Sequence, residues 1–191
     1  MKIWAVCSDV EGRLPPSHGF GVLLESGLLF DSCDRESAER FSKISPIRPV
    51  LGVSAVDNQH HNGGFEAFEV PVIRWRDREL VLKLGGVVHK IVGFGRESLL
   101  LVGRTVVSPC GLFTIPFGAL SSMRIKADCF VGGLGGSTAS PYAVSRIIGE
   151  LRALGVRCVV PLHSPRGIVR ELERRFNVYT LAAGLEIEIP I

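Results

Sequence analysis

Residues Pro49–Phe65 read PVLGVSAVDNQHHNGGF, and the rest of the chain is best understood outward from this stretch. Its first half, Pro49–Val56, is short, rich in Val and opened by Pro, which predicts a β-strand. The second half is polar. The whole chain holds one Gln and three Asn, yet three of those four amides, Asn58, Gln59 and Asn62, flank His60 and His61. Gly63–Gly64 then supplies a turn into a predicted helix. In α/β architectures, ligands bind in loops that follow the carboxyl ends of strands, and this loop occupies such a place.

His163 repeats the arrangement near the other end of the chain. It follows a predicted buried strand, Arg157–Leu162, and precedes a helix opened by Ser164 and Pro165 and running to Phe176. If the two strands run parallel, His60, His61 and His163 gather at one edge.

Between and around these loops the patterns are mostly short strands. Lys2–Ser8, Phe20–Glu25, Leu28–Asp31, Val87–Val92, Ser98–Val102, Thr105–Val107 and Leu112–Ile115 all have this character, as does Ala127–Val131 later on. Val70–Ile73 and Glu79–Leu84 read as a hairpin turning at Arg76–Asp77, and Val178–Leu181 and Leu185–Ile189 close the chain as strands. Asp34–Ile44 reads as a helix with Ala38, Phe41 and Ile44 on one face. Pro141–Leu154 is the clearest helix, with Ser140 as cap, Pro141 in the first turn and Gly155 just past the end. Many strands first, then strand–helix–strand–helix, fits an α/β (α+β) four-layer αββα sandwich in a single domain over 1–191.

Composition narrows the function classes. Hydrophobic residues at 46% and charged residues at 21% exclude disorder, and no apolar run reaches the roughly 18 residues of a membrane span. Met1–Ser8 has no signal-peptide architecture, so a cytoplasmic protein with no membrane partner is expected. Cys7, Cys33, Cys110, Cys129 and Cys158 contain no C-x-x-C pair and read as small buried thiols in a reducing compartment. Scarce amides and Arg in 17 of 22 basic positions are a thermophile-like compositional cue. The net charge of +3 is mild and dispersed, although Arg74–Arg76–Arg78 and Arg170–Arg174–Arg175 are local clusters.

At this point the residues carry a family likeness. Pro49–Phe65 resembles the metal-binding loop of the metallo-β-lactamase superfamily: an apolar strand, then His-x-His-x-Asp-His, then a small residue and Gly-Gly. In register, His61 takes the final His, His60 the Asp position and Gly63–Gly64 the glycine pair, while Val56 and Asn58 replace the first two histidines. Ser17–Ser32, SHGFGVLLESGLLFDS, is similar to the opening of a branch that includes dihydropterin-ribofuranosyl-aminobenzene-phosphate synthases, and Asp31 matches the Asp of its Leu-Phe-Asp-Thr-Gly. Ser98–Leu112 resembles the run into Ser-His-Pro-Gly-Ile with Pro109 at the His. Val131–Gly136 resembles Gly-Gly-Phe-His-Leu with Gly135 at the His. In Val159–Gly167, VVPLHSPRG, His163 keeps the His of a His-Cys-Thr-Gly motif.

The resemblance implies the αββα sandwich and a two-metal centre, and the departures from it imply how much of that centre is left. One metal would need donors at Val56, Asn58 and Pro109. Val and Pro side chains have no lone pair to give, and an amide is a poor ligand beside imidazole. The second would be held by His60, His61 and His163, a three-imidazole set that fits one zinc or iron ion with an open position for water. Two readings follow. The leading one is a divergent, non-hydrolytic pseudoenzyme that binds a phosphorylated or pterin-like small molecule or a protein. The other is a mononuclear metal-dependent hydrolase using His60, His61 and His163. A nucleic-acid-associated protein using the Arg clusters is a third reading, by fold-level analogy only.

Of the candidate catalytic residues Asp31 and His60, Asp31 is expected to hold the loops through backbone hydrogen bonds rather than to bind metal. Asp57 reads as a turn residue. Ser164, Arg166 and Gly167 open a helix whose amides and guanidinium suit an anion such as phosphate. His18 and His89 lack partners in any motif and read as core or surface residues.

Overall fold

A computed structural model describes residues 1–109, 118–134 and 140–191. The strands sort into two sheets, and their alternating side chains explain why. The first sheet holds β1 (Lys2–Ala5), β2 (Val22–Leu24), β3 (Leu28–Phe30), β4 (Leu51–Ser54), β5 (Val72–Arg74) and β13 (Glu186–Glu188), in the order β13-β1-β2-β3-β4-β5. The second holds β6 (Glu79–Leu84), β7 (Val87–Gly93), β8 (Ser98–Val102), β9 (Thr105–Ser108), β10 (Cys129–Gly132), β11 (Cys158–Pro161) and β12 (Asn177–Val178), in the reverse of that numbering.

Period-two alternation sends neighbouring residues of one strand into different cores. Ile3, Ala5, Val22 and Leu24 of the first sheet meet Leu100, Val102, Cys129 and Val131 of the second in a central core. Trp4, Leu23 and Leu29 point the other way and pack on α1 (Arg35–Ser42) through Ala38 and Phe41. Leu99, Val106 and Phe130 likewise turn outward, onto α4 (Pro141–Leu154) and α5 (Arg166–Glu173) through Ile147, Leu151, Ile168 and Leu172. Both sheets are thus apolar on both faces, which requires the four αββα layers.

The helix Pro141–Leu154 forms as its sequence dictates. Ser140 Oγ accepts from Ala143 N at 3.2 Å, and Gly155 closes the end in the left-handed region at φ 89°. In α1, Asp34 caps by accepting from Ser37 N at 2.9 Å. That helix ends at Ser42, so Ile44 falls beyond it and is exposed. Two four-residue helices, α2 (Gln59–Asn62) and α3 (Ala119–Ser122), are too short for periodicity to reveal.

Two expectations are corrected. Val70–Ile73 and Glu79–Leu84 do not form a hairpin. β5 pairs parallel with β4 in the first sheet, and Arg76–Asp77 carries the chain across to the second. The hairpin is β6–β7, turning at Gly85–Gly86 with φ of 56° and 79°. A two-residue hairpin turn of this hand needs positive φ at both positions, which Gly supplies and Arg-Asp does not. The cysteines also depart from isolated thiols: Cys7 pairs with Cys33 and Cys129 with Cys158, the latter two in register across β10 and β11. The expected strand Leu112–Ile115, together with Cys110 and Gly135, lies outside the described residues. Among the described residues no helix is long and apolar enough to cross a membrane.

Candidate metal centre

β1 runs antiparallel to β2, β2 antiparallel to β3, and β3 parallel to β4. The carboxyl ends of β1, β3 and β4 and the amino end of β2 therefore lie at one end of the first sheet. The residues just beyond them are Asp9, Asp31, His60–His61 and His18. In the second sheet β9, β10 and β11 are parallel, and His163 lies two residues past the carboxyl end of β11. These ends coincide. The ring centroids of His61 and His163 are 5.8 Å apart, those of His18 and His163 4.0 Å, and those of His18 and His60 6.1 Å.

The amide-rich loop is explained by how it holds these rings. Asn58 Oδ1 accepts from His60 N at 3.0 Å and caps α2, while Asn62 Nδ2 donates to the Val56 carbonyl at 3.3 Å. Positions expected to have lost metal donors thus carry structural bonds instead. Gly19 fixes the neighbouring segment, since a Cβ there would stand 2.5 Å from the His60 carbonyl oxygen. Phe20 N donates to that same oxygen at 3.3 Å.

His61 and Asp31 form a buried pair. Asp31 Oδ1 accepts from Ala55 N at 2.7 Å, and His61 Nδ1 donates to Asp31 Oδ2 at 3.2 Å. Burial raises the Asp31 carboxyl above the usual carboxylate range, and the bonds from His61 and Ala55 oppose that shift. A carboxylate on Nδ1 fixes the tautomer and directs the Nε2 lone pair away from Asp31.

His163 has a different setting. It is half-buried, its backbone is left-handed at φ 50°, and its Nδ1 is buried with no hydrogen-bond partner among the described residues. Its pKa is pushed down to about 4, first by burial and then by the neighbouring His18. Leaving a buried polar nitrogen unpaired costs about 1–3 kcal/mol.

His163 also belongs to a compact group of donors. One donor atom each from Asp9, His18 and His163 lie within 4.8 Å of one another. His18 Nδ1 and Asp9 Oδ1 are 3.5 Å apart. Two imidazoles and a carboxylate match the donor chemistry of a catalytic zinc or iron site. His60, His61 and His163 lie at this same end, and among the described residues the group whose donor atoms lie within 4.8 Å of one another is Asp9, His18 and His163. His61 is drawn aside by Asp31.

In the sequence His18 has no motif partner and Asp9 stands in no motif. The same rule that singled out His60, His61 and His163 applies to both, once the directions of β1 and β2 are known. Asp57 donates nothing to the cluster; its carboxylate accepts from Asn62 Nδ2 at 3.2 Å. His89 is buried on β7, with Nε2 2.7 Å from Ser26 Oγ.

A cavity of about 320 Å³ opens beside the cluster, with Asp9, His163, Arg166 and Arg170 in its wall. Ser164 also lines it, but its hydroxyl donates to the Leu162 carbonyl at 3.0 Å. Gly167 lines a separate groove between α4 and α5, while Arg170 joins Arg166 in the wall of the cavity.

Two packed sheets with helices outside and histidines on one shared rim define the metallo-β-lactamase fold. Among solved structures, Tm1679, a metal-dependent hydrolase of the β-lactamase superfamily, matches with a TM-score of 0.77 over 99% of both chains at 19% identity. A diphosphatase of the PhnP family matches with a TM-score of 0.63 over 100% of this chain and 98% of its own, at 13% identity. The metallo-β-lactamase fold protein YhfI from Bacillus subtilis matches at 0.63 over 98% and 99%, at 12% identity. These likenesses establish the fold. No protein-family model matches the sequence, and no curated protein matches it.

Proposed function

We propose that this chain is a metal-dependent hydrolase that uses one divalent cation at the histidine rim. The observation that carries the reading is the convergence of Asp9, His18 and His163 within 4.8 Å. His163 also carries a buried Nδ1 with no partner among the described residues. A cation so held would supply Lewis acidity and acidify a water molecule. The protein's own groups do the rest. Asp31 fixes the His61 ring at the rim, and His60, exposed beside His18, is placed to move a proton between the rim and solvent. Hydrolase neighbours of the same fold support this reading over the non-hydrolytic module.

The module reading keeps one observation in its favour: Val56, Asn58 and Pro109 offer no donors suited to a second metal. The finer likeness to the dihydropterin-ribofuranosyl-aminobenzene-phosphate synthase branch enters here as a proposal that the ligand is a phosphorylated or pterin-like small molecule. The size of the cavity beside His163 is compatible with such a ligand.

Metal analysis tests the reading. Protein incubated with zinc or ferrous ion and desalted should retain about one equivalent, the number one closed set of donors holds. His163→Ala and His18→Ala should each lose it, and His89→Ala should not. Wild-type protein that retains none refutes the hydrolase reading, and full retention in His163→Ala refutes the donor set.

A further inference from the structure

We infer that the α5 wall of the cavity beside His163 is a phosphate-recognition subsite, so that the substrate class is a small molecule with an exposed phosphoryl group. The inference deepens the hydrolase reading and rests on it for the word substrate, but the binding claim stands on its own residues.

Arg166, Val169, Arg170 and Glu173 recur at the helical spacings i, i+3, i+4 and i+7, so they share one face of α5. All four line the cavity that contains Asp9 and His163. The opposite face, with Ile168 and Leu172, is buried in the outer core and holds the helix in place. Arg166 and Arg170 therefore project into the cavity from a fixed support, one turn apart.

Neither guanidinium has a hydrogen bond or ion pair among the described residues. By contrast Arg174, just past the end of α5, engages the Glu171 carboxylate at 2.6 Å. Two unpaired forked donors in a concave wall suit a dianionic group with several acceptor oxygens, and Arg meets phosphate bidentately.

The acidic groups in the wall do not cancel them. Asp9 is turned toward His18, with 3.5 Å between Oδ1 and Nδ1, which leaves Glu173 as the one acid opposite two guanidiniums. The small concave space favours a terminal phosphate on a small molecule over a polynucleotide backbone.

Phosphate binding without metal separates the inference from the hydrolase reading. Inorganic phosphate is titrated by calorimetry into chelator-treated and zinc-loaded protein at fixed ionic strength. Arg166→Ala, Arg170→Ala, Arg166→Lys and the control Arg174→Ala, just past the end of α5, are compared with wild type. Each alanine variant at Arg166 or Arg170 should weaken binding about tenfold or more, as loss of a charged hydrogen-bond donor does. Arg166→Lys should recover only part of it, and Arg174→Ala should match wild type.

Bound zinc should be unchanged in all four variants. The inference is overturned if wild type shows no saturable binding below about 10 mM phosphate, a threshold that corresponds to a very weak contact. It is equally overturned if Arg174→Ala weakens binding as much as the cavity variants do. If zinc is never retained but the arginine dependence holds, the subsite stands and the hydrolase reading fails.

Discussion

The two sheets contribute halves of the same rim, and the halves are built on opposite plans. On the first sheet, Asp31 is fully buried and both of its carboxylate oxygens are engaged, one by the Ala55 amide and one by His61. On the second, His163 carries a buried nitrogen without a partner, and Arg166 and Arg170 face an open cavity. The Asp31–His61 pair is satisfied from within the protein; the buried nitrogen of His163 is not, among the described residues. The contrast separates a pair that holds its place, Asp31 and His61, from the groups the proposed function leaves to meet a ligand: His163, Arg166 and Arg170, with Asp9 and His18 from the first sheet.

The sharpest way to break this comparison is to remove one side chain from each half in metal-free protein. Asp31→Ala strands the Ala55 amide and the His61 ring inside the protein, and losing one member of such a buried pair costs about 3–5 kcal/mol. His163→Ala deletes a nitrogen that bonded to nothing, so stability should stay within about 1 kcal/mol of wild type. Urea denaturation of both variants measures the difference, and equal losses would erase the distinction between the halves.

A smaller effect is expected at the seam between the rim loops. Gly19→Ala forces the His18 segment off the His60 carbonyl, and inserted bulk of this kind costs about 1–3 kcal/mol. Denaturation reads that cost. Zinc affinity should fall with it, because His18 moves.

The smallest effect lies away from the rim. Burial holds the His89 pKa below its ordinary 6.5. The unfolded chain then takes up a proton that the folded one refuses, so stability is full above that pH and declines as the pH falls below it. Subtracting the stability–pH curve of His89→Leu from that of wild type should isolate this slope. A flat difference between pH 6.5 and about 5 would mean that His89 protonates freely in place.

The legibility of these features followed the range of the forces behind them. The helix Pro141–Leu154 was readable to the residue because cap, proline, apolar spacing and terminal glycine are all local signals. The αββα layering was readable because a run of strands followed by strand–helix–strand–helix fits two packed sheets with helices outside. The turn at Gly85–Gly86 was missed in favour of Arg76–Asp77, since alternation alone does not say which sheet a strand will join. Asp9 and His18 were missed for a related reason. Their place at the rim depends on which way β1 and β2 run, and only the pairing with β3 and β4 settles that. The His61–Asp31 bond likewise links residues 30 apart in sequence, so no spacing rule could have given it.

Because Asp9 and His18 come from one sheet and His163 from the other, an ion shared among them would act as a clasp across the two halves of the sandwich. A chain with its sheets parted would have no such donor group to offer. Occupancy would thus be linked to the closed state alone, and every tenfold excess of free ion over its dissociation constant would add about 1.4 kcal/mol to the work of prising the layers apart.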